Sequence, residues 1–360
     1  MIREMAMNRF VMYLCYLFKI NRFKLKNLFG QPQFKEHLTL DGTDQFASQA
    51  LSLFRHQADQ NTLYRSYLQN LSIDPASITD LKKIPFLPIQ FFKTSIIQTG
   101  DFTPEYCFES SGTSGSVNSR HCIRSMEDYL QNAEANFVEF YGQPSDYCFL
   151  ALLPSYLERK HSSLVSMADH LIKRSGHPKS GFFLHDLSGL HEVLSDLESK
   201  GQKTILLGVT YALMDFAEAY PMTLRNTLVM ETGGMKGRRE EITRAALHEF
   251  LKSRFQVQMI HAEYGMTELL SQAYSYDNGI FEPSSSMCIL LRSTDDPFEM
   301  WNEEEFPGRT GAVNVIDLAN QDTIAFIATD DLARFTGDGG FEIIGRLDNC
   351  EVRGCSLLAL

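Results

Sequence analysis

Ser110-Ser111-Gly112-Thr113-Ser114-Gly115-Ser116 is the stretch whose residue types point most directly at chemistry. Ser110, Ser111, Thr113 and Ser114 supply hydroxyls, and Gly112 and Gly115 let backbone N–H groups approach a ligand, so the loop can wrap phosphate. Its spacing is neither the G-x-x-x-x-G-K-[ST] of a P-loop nor the G-x-S-x-G of a hydrolase elbow. Alone it also reads as an exposed flexible turn, so its partners must decide. Glu231-Thr232-Gly233-Gly234-Met235-Lys236-Gly237-Arg238-Arg239 follows an apolar run of strand length. Its glycines, Gly233 and Gly234 among them, and its cations suit a nucleotide at a strand end; by itself it also reads as a turn with a solvated basic cluster. Tyr264-Gly265-Met266-Thr267-Glu268 combines a ring for adenine, a close-approach glycine, a hydroxyl for phosphate and a carboxylate for Mg²⁺. One carboxylate is enough, because magnesium keeps water and takes phosphate oxygens. His261 just ahead reads as a packed residue. Finally, Thr329-Asp330-Asp331-Leu332-Ala333-Arg334 and Gly345-Arg346-Leu347-Asp348 offer Asp331, at a strand end, for the ribose hydroxyls and Arg346 for phosphate. Each segment is weak alone; the ordered set is the signal.

Elements that could position these loops are legible between them. Residues 1–80 look helical and give way to a turn-rich Pro85/Pro88 stretch. Tyr106–Phe108 is a short strand leading into the serine-glycine loop. Ser125 caps a helix, with Asp128 as reciprocal partner, through apolar positions Met126 to Tyr141 that Gly142 stops. Strand-length runs at Tyr147–Leu153, Thr204–Val209, Thr227–Met230 and Val257–Ala262 alternate with helical stretches at 160–174, 187–200 and 210–219. That alternation predicts an α/β fold with a largely parallel sheet. After residue 278 the texture turns to β at Met287–Leu291, Ala312–Leu318, Thr323–Thr329 and Phe341–Ile344. The expected organisation is a helical segment (1–84), an α/β nucleotide- and acyl-binding subdomain (85–278), a β-rich subdomain (279–345) and a short tail (346–360).

Composition narrows the classes. The chain of 360 residues is 44% apolar and 22% charged, which fits a packed protein. A net charge of −12 argues against a nucleic-acid partner, yet one nucleotide needs only local donors and a metal. Seven scattered cysteines without a C-x-x-C pair fit neither a disulfide framework nor a zinc site, so reduced thiols in a cytoplasm are expected. The apolar run Phe10–Phe18 is about half the ~20 residues a membrane span needs, and no transmembrane segment is expected.

The order of the loops resembles the adenylate-forming enzymes: acyl- and aryl-CoA ligases, luciferases and the adenylation domains of peptide synthetases. Their phosphate loop, Gly-Gly adenine loop, Tyr-Gly-x-Thr-Glu segment, ribose site and Gly-Arg-x-Asp hinge look like Ser110–Gly115, Gly233-Gly234, Tyr264–Glu268, Thr329–Asp331 and Gly345–Asp348 here. Leu152–Arg159, Glu231–Arg238 and Arg353-Gly354-Cys355-Ser356-Leu357 look like a narrower family, the acyl-protein synthetases of bacterial bioluminescence, which activate fatty acids for a reductase complex. The resemblance implies the N-terminal domain fold of the adenylate-forming enzymes, with ATP and Mg²⁺ as cofactors and a carboxylic acid, of the fatty class, as substrate. It further implies an acyl-AMP intermediate, transfer to a thiol at Cys355, and an acyl reductase or acyl carrier protein as partner. Lys236 and Arg120 are the candidate assisting cations. Three positions depart from the pattern: Ser119 replaces the lysine after the phosphate loop, the ribose motif reads Thr-Asp-Asp, and the chain ends at Leu360. The mobile C-terminal domain with its catalytic lysine is therefore expected to be absent. Cys355 also reads as a small apolar residue in a Cys-Ser-Leu-Leu tail. Two alternatives stay open: transfer to an external carrier protein or CoA, and a non-catalytic adenylate-binding subunit.

Overall fold

The computed structural model describes residues 40–110, 117–153, 161–183, 186–233, 242–302, 308–337 and 339–347, with side chains from residue 45 onward. The chain divides into compact units at Gln45/Phe46; the run Phe10–Phe18 lies outside the described residues.

Helices α1 (Leu40–Gln60) and α2 (Thr62–Asn70) are joined at Asn61, whose side chain accepts from Tyr64 N and so caps α2. Strand β1 (Leu87–Pro88) and the short α3 (Phe91–Thr94) follow. Then β2 (Tyr106–Glu109) and β3 (Arg120–Ile123), which flank the serine-glycine segment in the sequence, pair antiparallel. Helix α4 (Met126–Tyr141) is capped by Ser125, which accepts from Asp128 N, and it stops at Gly142 with φ 82°.

Next comes the parallel half. β4 (Cys148–Leu152), β5 (Gly181–Phe182), β6 (Thr204–Val209), β7 (Thr227–Thr232) and β8 (His261–Tyr264) are linked through α5 (Ser163–Ser175), α6 (Leu187–Ser199), α7 (Thr210–Ala219) and α8 (Arg244–Phe255). β4 and β6 are almost wholly buried apolar runs and β7 is buried as well, though it carries Thr227, Glu231 and Thr232, as expected of strands covered on both faces. β8 begins at His261, not at Val257. Gln256 ends α8 in the left-handed region, and Asp277 takes the Ile260 N–H that a longer strand would have paired.

The antiparallel half contains β9 (Ala273–Ser275), β10 (Ile280–Pro283), β11 (Met287–Arg292), β12 (Met300–Trp301), β13 (Thr310–Asp317), β14 (Phe326–Phe335) and β15 (Phe341–Arg346). It continues the parallel half in one hydrogen-bonded path, β12-β11-β13-β14-β15-β10-β9-β8-β7-β6-β4-β5, with β1 parallel to β14. Two hydrophobic clusters lie on this sheet. One gathers Phe137, Leu150, Leu206, Phe216 and Phe255; the other gathers Phe54, Tyr64, Phe92, Ile327 and Phe341. β14 starts at Phe326, later than the predicted Thr323, because the preceding backbone is taken by side chains. Asn61 donates to Thr323 O, and Gln57 accepts from Ala325 N.

The expectation of reduced thiols is corrected at one pair. Cys107 and Cys122 stand directly opposite each other across β2–β3, 3.9 Å apart at Cα, and are disulfide-bonded. Nothing in their spacing of 15 residues announces this; the hairpin register creates it. The cross-link closes the stem that carries the serine-glycine loop. We expect a Cys107–Cys122 linked peptide, 2 Da lighter than its reduced parts, in a non-reducing digest. Cys122→Ser should lower unfolding free energy by about 3 kcal/mol, the amount typical of a loop this size, as read from denaturant titration.

Candidate active site

The strand end after β8 is the centre of the described site. Tyr264 is buried, and its hydroxyl donates to Asp331 Oδ2 at 2.8 Å. Asp331 lies within β14, not at a strand end as expected from sequence, and a bulge aims it. Ala312 pairs with Leu332 and Asn314 with Ala328, so Thr329–Asp331 stand opposite Val313 alone. Arg346, at the end of β15, brings Nε to 3.3 Å from Asp331 Oδ1 and remains 70% exposed. Burial pushes the Asp331 carboxyl upward, against the Tyr264 bond and the Arg346 charge.

Glu268 is also buried. Desolvation raises its pKa, and the Ser119 hydroxyl bonded to it opposes that rise, with Arg346 and Asp331 close enough to act electrostatically. The serine that replaces the expected lysine therefore ends against the carboxylate of the motif. Ser119 also closes the neck of the loop: Ser110 N donates to Ser119 O at 3.0 Å, and Ser119 N donates to Ser110 Oγ at 2.8 Å. His121, fully buried on β3, donates from Nδ1 to Thr267 O at 2.8 Å, with Nε2 3.0 Å from the Thr323 hydroxyl. Desolvation lowers its pKa to about 4, so the ring is neutral in this role.

Behind the motif, buried Asp317 accepts from Leu270 N, Ser271 N, Ser271 Oγ and Ala319 N, while Asn320 donates to Glu268 O at 3.0 Å. These bonds fix the backbone that presents Glu268. On β7, Gly233 adopts φ 69°, and its carbonyl accepts from the Thr210 hydroxyl at 3.0 Å. Glu231 is held by Arg244 at 2.9 Å on the helix α8 side. Glu263 accepts from the Thr232 hydroxyl, and its Oε1 lies 2.4 Å from where a Cβ on Gly265 would sit. A side chain at 265 would require the Glu263 carboxyl to move.

Of the residues singled out in the sequence, the fold brings together Ser110, Tyr264, Gly265, Thr267, Glu268, Asp331 and Arg346. Gly233 ends the neighbouring strand, and Arg120 is exposed at the start of β3, opposite Glu109. Ser111, Gly112, Thr113, Ser114, Gly115, Gly234, Lys236 and Cys355 lie outside the described residues. Sequence reasoning missed His121, Glu263, Asp317 and Asn320. These are isolated polar residues in apolar surroundings, and only their buried partners reveal them.

A magnesium ion suits this donor set. Among the described residues no cluster of three or more metal-ligating side chains exists. Glu268 is instead one buried carboxyl beside the Ser119 hydroxyl, its pKa raised by desolvation. That is the pattern for an ion carried in by phosphate oxygens.

The architecture is that of the N-terminal domain of the adenylate-forming enzymes, a mixed α/β sheet with helices. The chain is similar to 2-hydroxyisobutyryl-CoA ligase solved with 2-HIB-AMP and CoA, in an open conformation (TM-score 0.61, 12% identity, 85% of this chain and 70% of that one) and in the thioesterification state (TM-score 0.61, 14% identity, 87% and 70%). It is similar also to the ATP-bound RpMatB-BxBclM chimera B1 (TM-score 0.51, 14% identity), where it covers 69% of its own length and 49% of the chimera. No protein-family model and no curated protein sequence matches the chain.

Burial pushes Glu263 up to about 7; the Thr232 bond opposes this and the Glu231 charge adds to it. The sign follows from linkage. In the unfolded chain this carboxyl ionises in the ordinary carboxylate range, so its contribution to native stability is greatest below that range and falls as pH rises toward 7. Glu263→Gln should therefore gain stability relative to wild type between pH 4.5 and 8, by about 3 kcal/mol. Urea unfolding of both proteins across that range checks it.

Proposed function

We propose that the chain activates a carboxylic acid as its adenylate, using ATP with Mg²⁺, and passes the acyl group to a thiol. The observation that carries this reading is the meeting of two carboxylates, Glu268 and Asp331, with the Ser110/Ser119 neck and Arg346 around one strand end. On this fold such a strand end is where ligands collect. The ligase and chimera of similar fold were solved with an acyl-AMP and with ATP, which supports the choice of nucleotide.

In this reading the serine-glycine loop, Ser110 to Gly115, wraps the β and γ phosphates with hydroxyls and N–H groups. Asp331 accepts the ribose hydroxyls while the Tyr264 bond holds its carboxylate in place. Glu268 holds magnesium, which when bound neutralises charge on the phosphates. Gly265 and Thr267 let the nucleotide lie close to the strand end, and Gly233-Gly234 flank the adenine. The acid's carboxylate oxygen then attacks the α-phosphorus in line; a P–O bond forms, and the bond to pyrophosphate breaks. The protein contributes position and charge. Arg346, Arg120 and Lys236 are the cations available to offset negative charge as it builds. The second step places the Cys355 thiolate on the acyl-AMP carbonyl and expels AMP. Arg353 beside it would favour the thiolate. A fatty acid as substrate, and a reductase or carrier protein as the later acceptor, follow from the acyl-protein synthetase resemblance.

ATP–pyrophosphate exchange tests the first step. Glu268→Gln is expected to slow exchange by about 10²-fold, as for loss of one preorganised charge contact. Asp331→Asn should raise the KM for ATP by roughly tenfold with little change in kcat. Absence of exchange with every acid in a broad panel would turn the reading toward an adenylate-binding subunit. For the second step, label from a radioactive acid should be hydroxylamine-sensitive and lost in Cys355→Ser. Label that instead moves to an added carrier protein, with none on the enzyme, would assign the acceptor outside the chain.

A further inference from the structure

Asp330, in the Thr-Asp-Asp segment that departs from the adenylate-forming pattern, has no part in that chemistry. Its carboxylate accepts from Gln90 Nε2 at 2.6 Å and lies within electrostatic reach of Arg292, a half-buried cation on β11. Arg292 in turn ties the bulge together. Its Nη1 donates to Val313 O at 2.9 Å and to Asn314 Oδ1 at 2.7 Å, and its Nη2 donates to Thr329 O at 2.6 Å. One guanidinium therefore bonds carbonyls on both strands of the bulge, β13 and β14, which suits the rigid fork of its donors. Burial works against the Arg292 charge, and the Asp330 carboxylate opposes that cost.

The same carbonyl leads to the site. Val313 O also accepts from the Thr329 hydroxyl at 2.9 Å, and that hydroxyl accepts from Asp331 N at 3.2 Å. A chain of hydrogen bonds thus runs from Arg292 through Val313 O and Thr329 Oγ1 to the backbone of Asp331. Asp330 O accepts from Leu347 N at 2.6 Å, so the segment that carries Arg346 is tied to the same bulge. A bulge disrupts strand pairing and bends the strand, and a carboxylate carried on it needs other groups to fix its backbone. Resting on the ribose role of Asp331 in the adenylation reading above, we propose that Arg292 and Asp330 are positioning residues for the nucleotide. Arg292 fixes the bulge, Asp330 balances its charge, and Asp331 is thereby aimed at the ribose hydroxyls. Such a contact works only when the carboxylate is held within about 0.5 Å of its productive place. Neither Arg292 nor Asp330 touches the nucleotide; both act through the backbone of β14.

Calorimetry on the full chain, with Mg²⁺ and either ATP or 2′-deoxy-ATP, tests this and needs no acid substrate. Wild type should bind ATP about 30-fold more tightly than 2′-deoxy-ATP, within the range for a hydrogen bond to a charged group. Arg292→Met should bring that ratio within about threefold by weakening ATP alone. A merely structural loss would weaken both nucleotides and leave the ratio unchanged. Asp330→Asn, which removes the charge and keeps an acceptor for Gln90, should lower the ratio to about tenfold. In an Asp331→Asn background, Arg292→Met should have no further effect on the ratio, because the two substitutions remove one interaction. Should Arg292→Met fail to show a cooperative melt, Arg292→Lys carries the same comparison. A wild-type ratio in the Arg292 variants, or equal binding of both nucleotides by wild type, overturns the assignment and leaves the nucleotide reading standing. A wild-type ratio in Asp330→Asn strikes that residue from the pair. Wild type that binds neither nucleotide overturns both readings.

Discussion

A buried hydrogen bond from Tyr264 to Asp331 ties the parallel half of this protein to the antiparallel half where its candidate chemistry lies. Tyr264 ends the last strand of the parallel half, and Asp331 belongs to the antiparallel half. A carboxylate removed from water needs a partner. Here the partner is a phenol that is itself buried, with Arg346 at the rim. The bulge at Thr329–Asp331 exists to bring the carboxylate to that phenol, and Thr329 stabilises it by donating to Val313 O and accepting from Asp331 N.

The other supports repeat the same device at successive depths. Asp317 gathers N–H and O–H donors from the turn after Glu268, from Ala319 and from the Asn320 side chain, so the carboxylate acts as an internal acceptor that fixes backbone. Gln57 of α1 donates to Asn320 O, and Asn320 in turn holds Glu268 O. His121 pins the hairpin to the same segment from the opposite side. Its neutrality follows from complete burial, which would have to desolvate an imidazolium; the hydrogen bonds to Thr267 O and to the Asn320 side chain oppose that only in part.

One consequence is a concentration of acid groups inside a chain that is already acidic overall. Glu263, Glu268, Asp317 and Asp331 are all pushed upward by burial. Clusters of perturbed carboxylates at strand ends are typical of functional sites, where a cation or a polar ligand completes what the fold leaves uncompensated. Asp317 is compensated by its own donors and is structural. Glu268 is bonded by the Ser119 hydroxyl and Glu263 by the Thr232 hydroxyl.

Local pattern determined much of this protein from sequence alone. The capped helix from Met126, the strand Thr204–Val209 and the helix Thr210–Ala219 follow from side-chain periodicity and cap residues, which act within a few positions. The order of Ser/Gly, Tyr-Gly-Met-Thr-Glu and Thr-Asp-Asp segments was legible for the same reason: glycines and short polar side chains advertise close backbone approach. Tertiary structure alone decided what depends on distant partners. Asp331 sits mid-strand because Val313 leaves room for a bulge; β8 starts late because Asp277 claims a backbone N–H; Cys107 meets Cys122 because a register places them opposite. Glu263 looked like any acid beside a tyrosine until the fold showed it buried. Burial and pairing are properties of space, and a residue's neighbours in the chain carry no record of them.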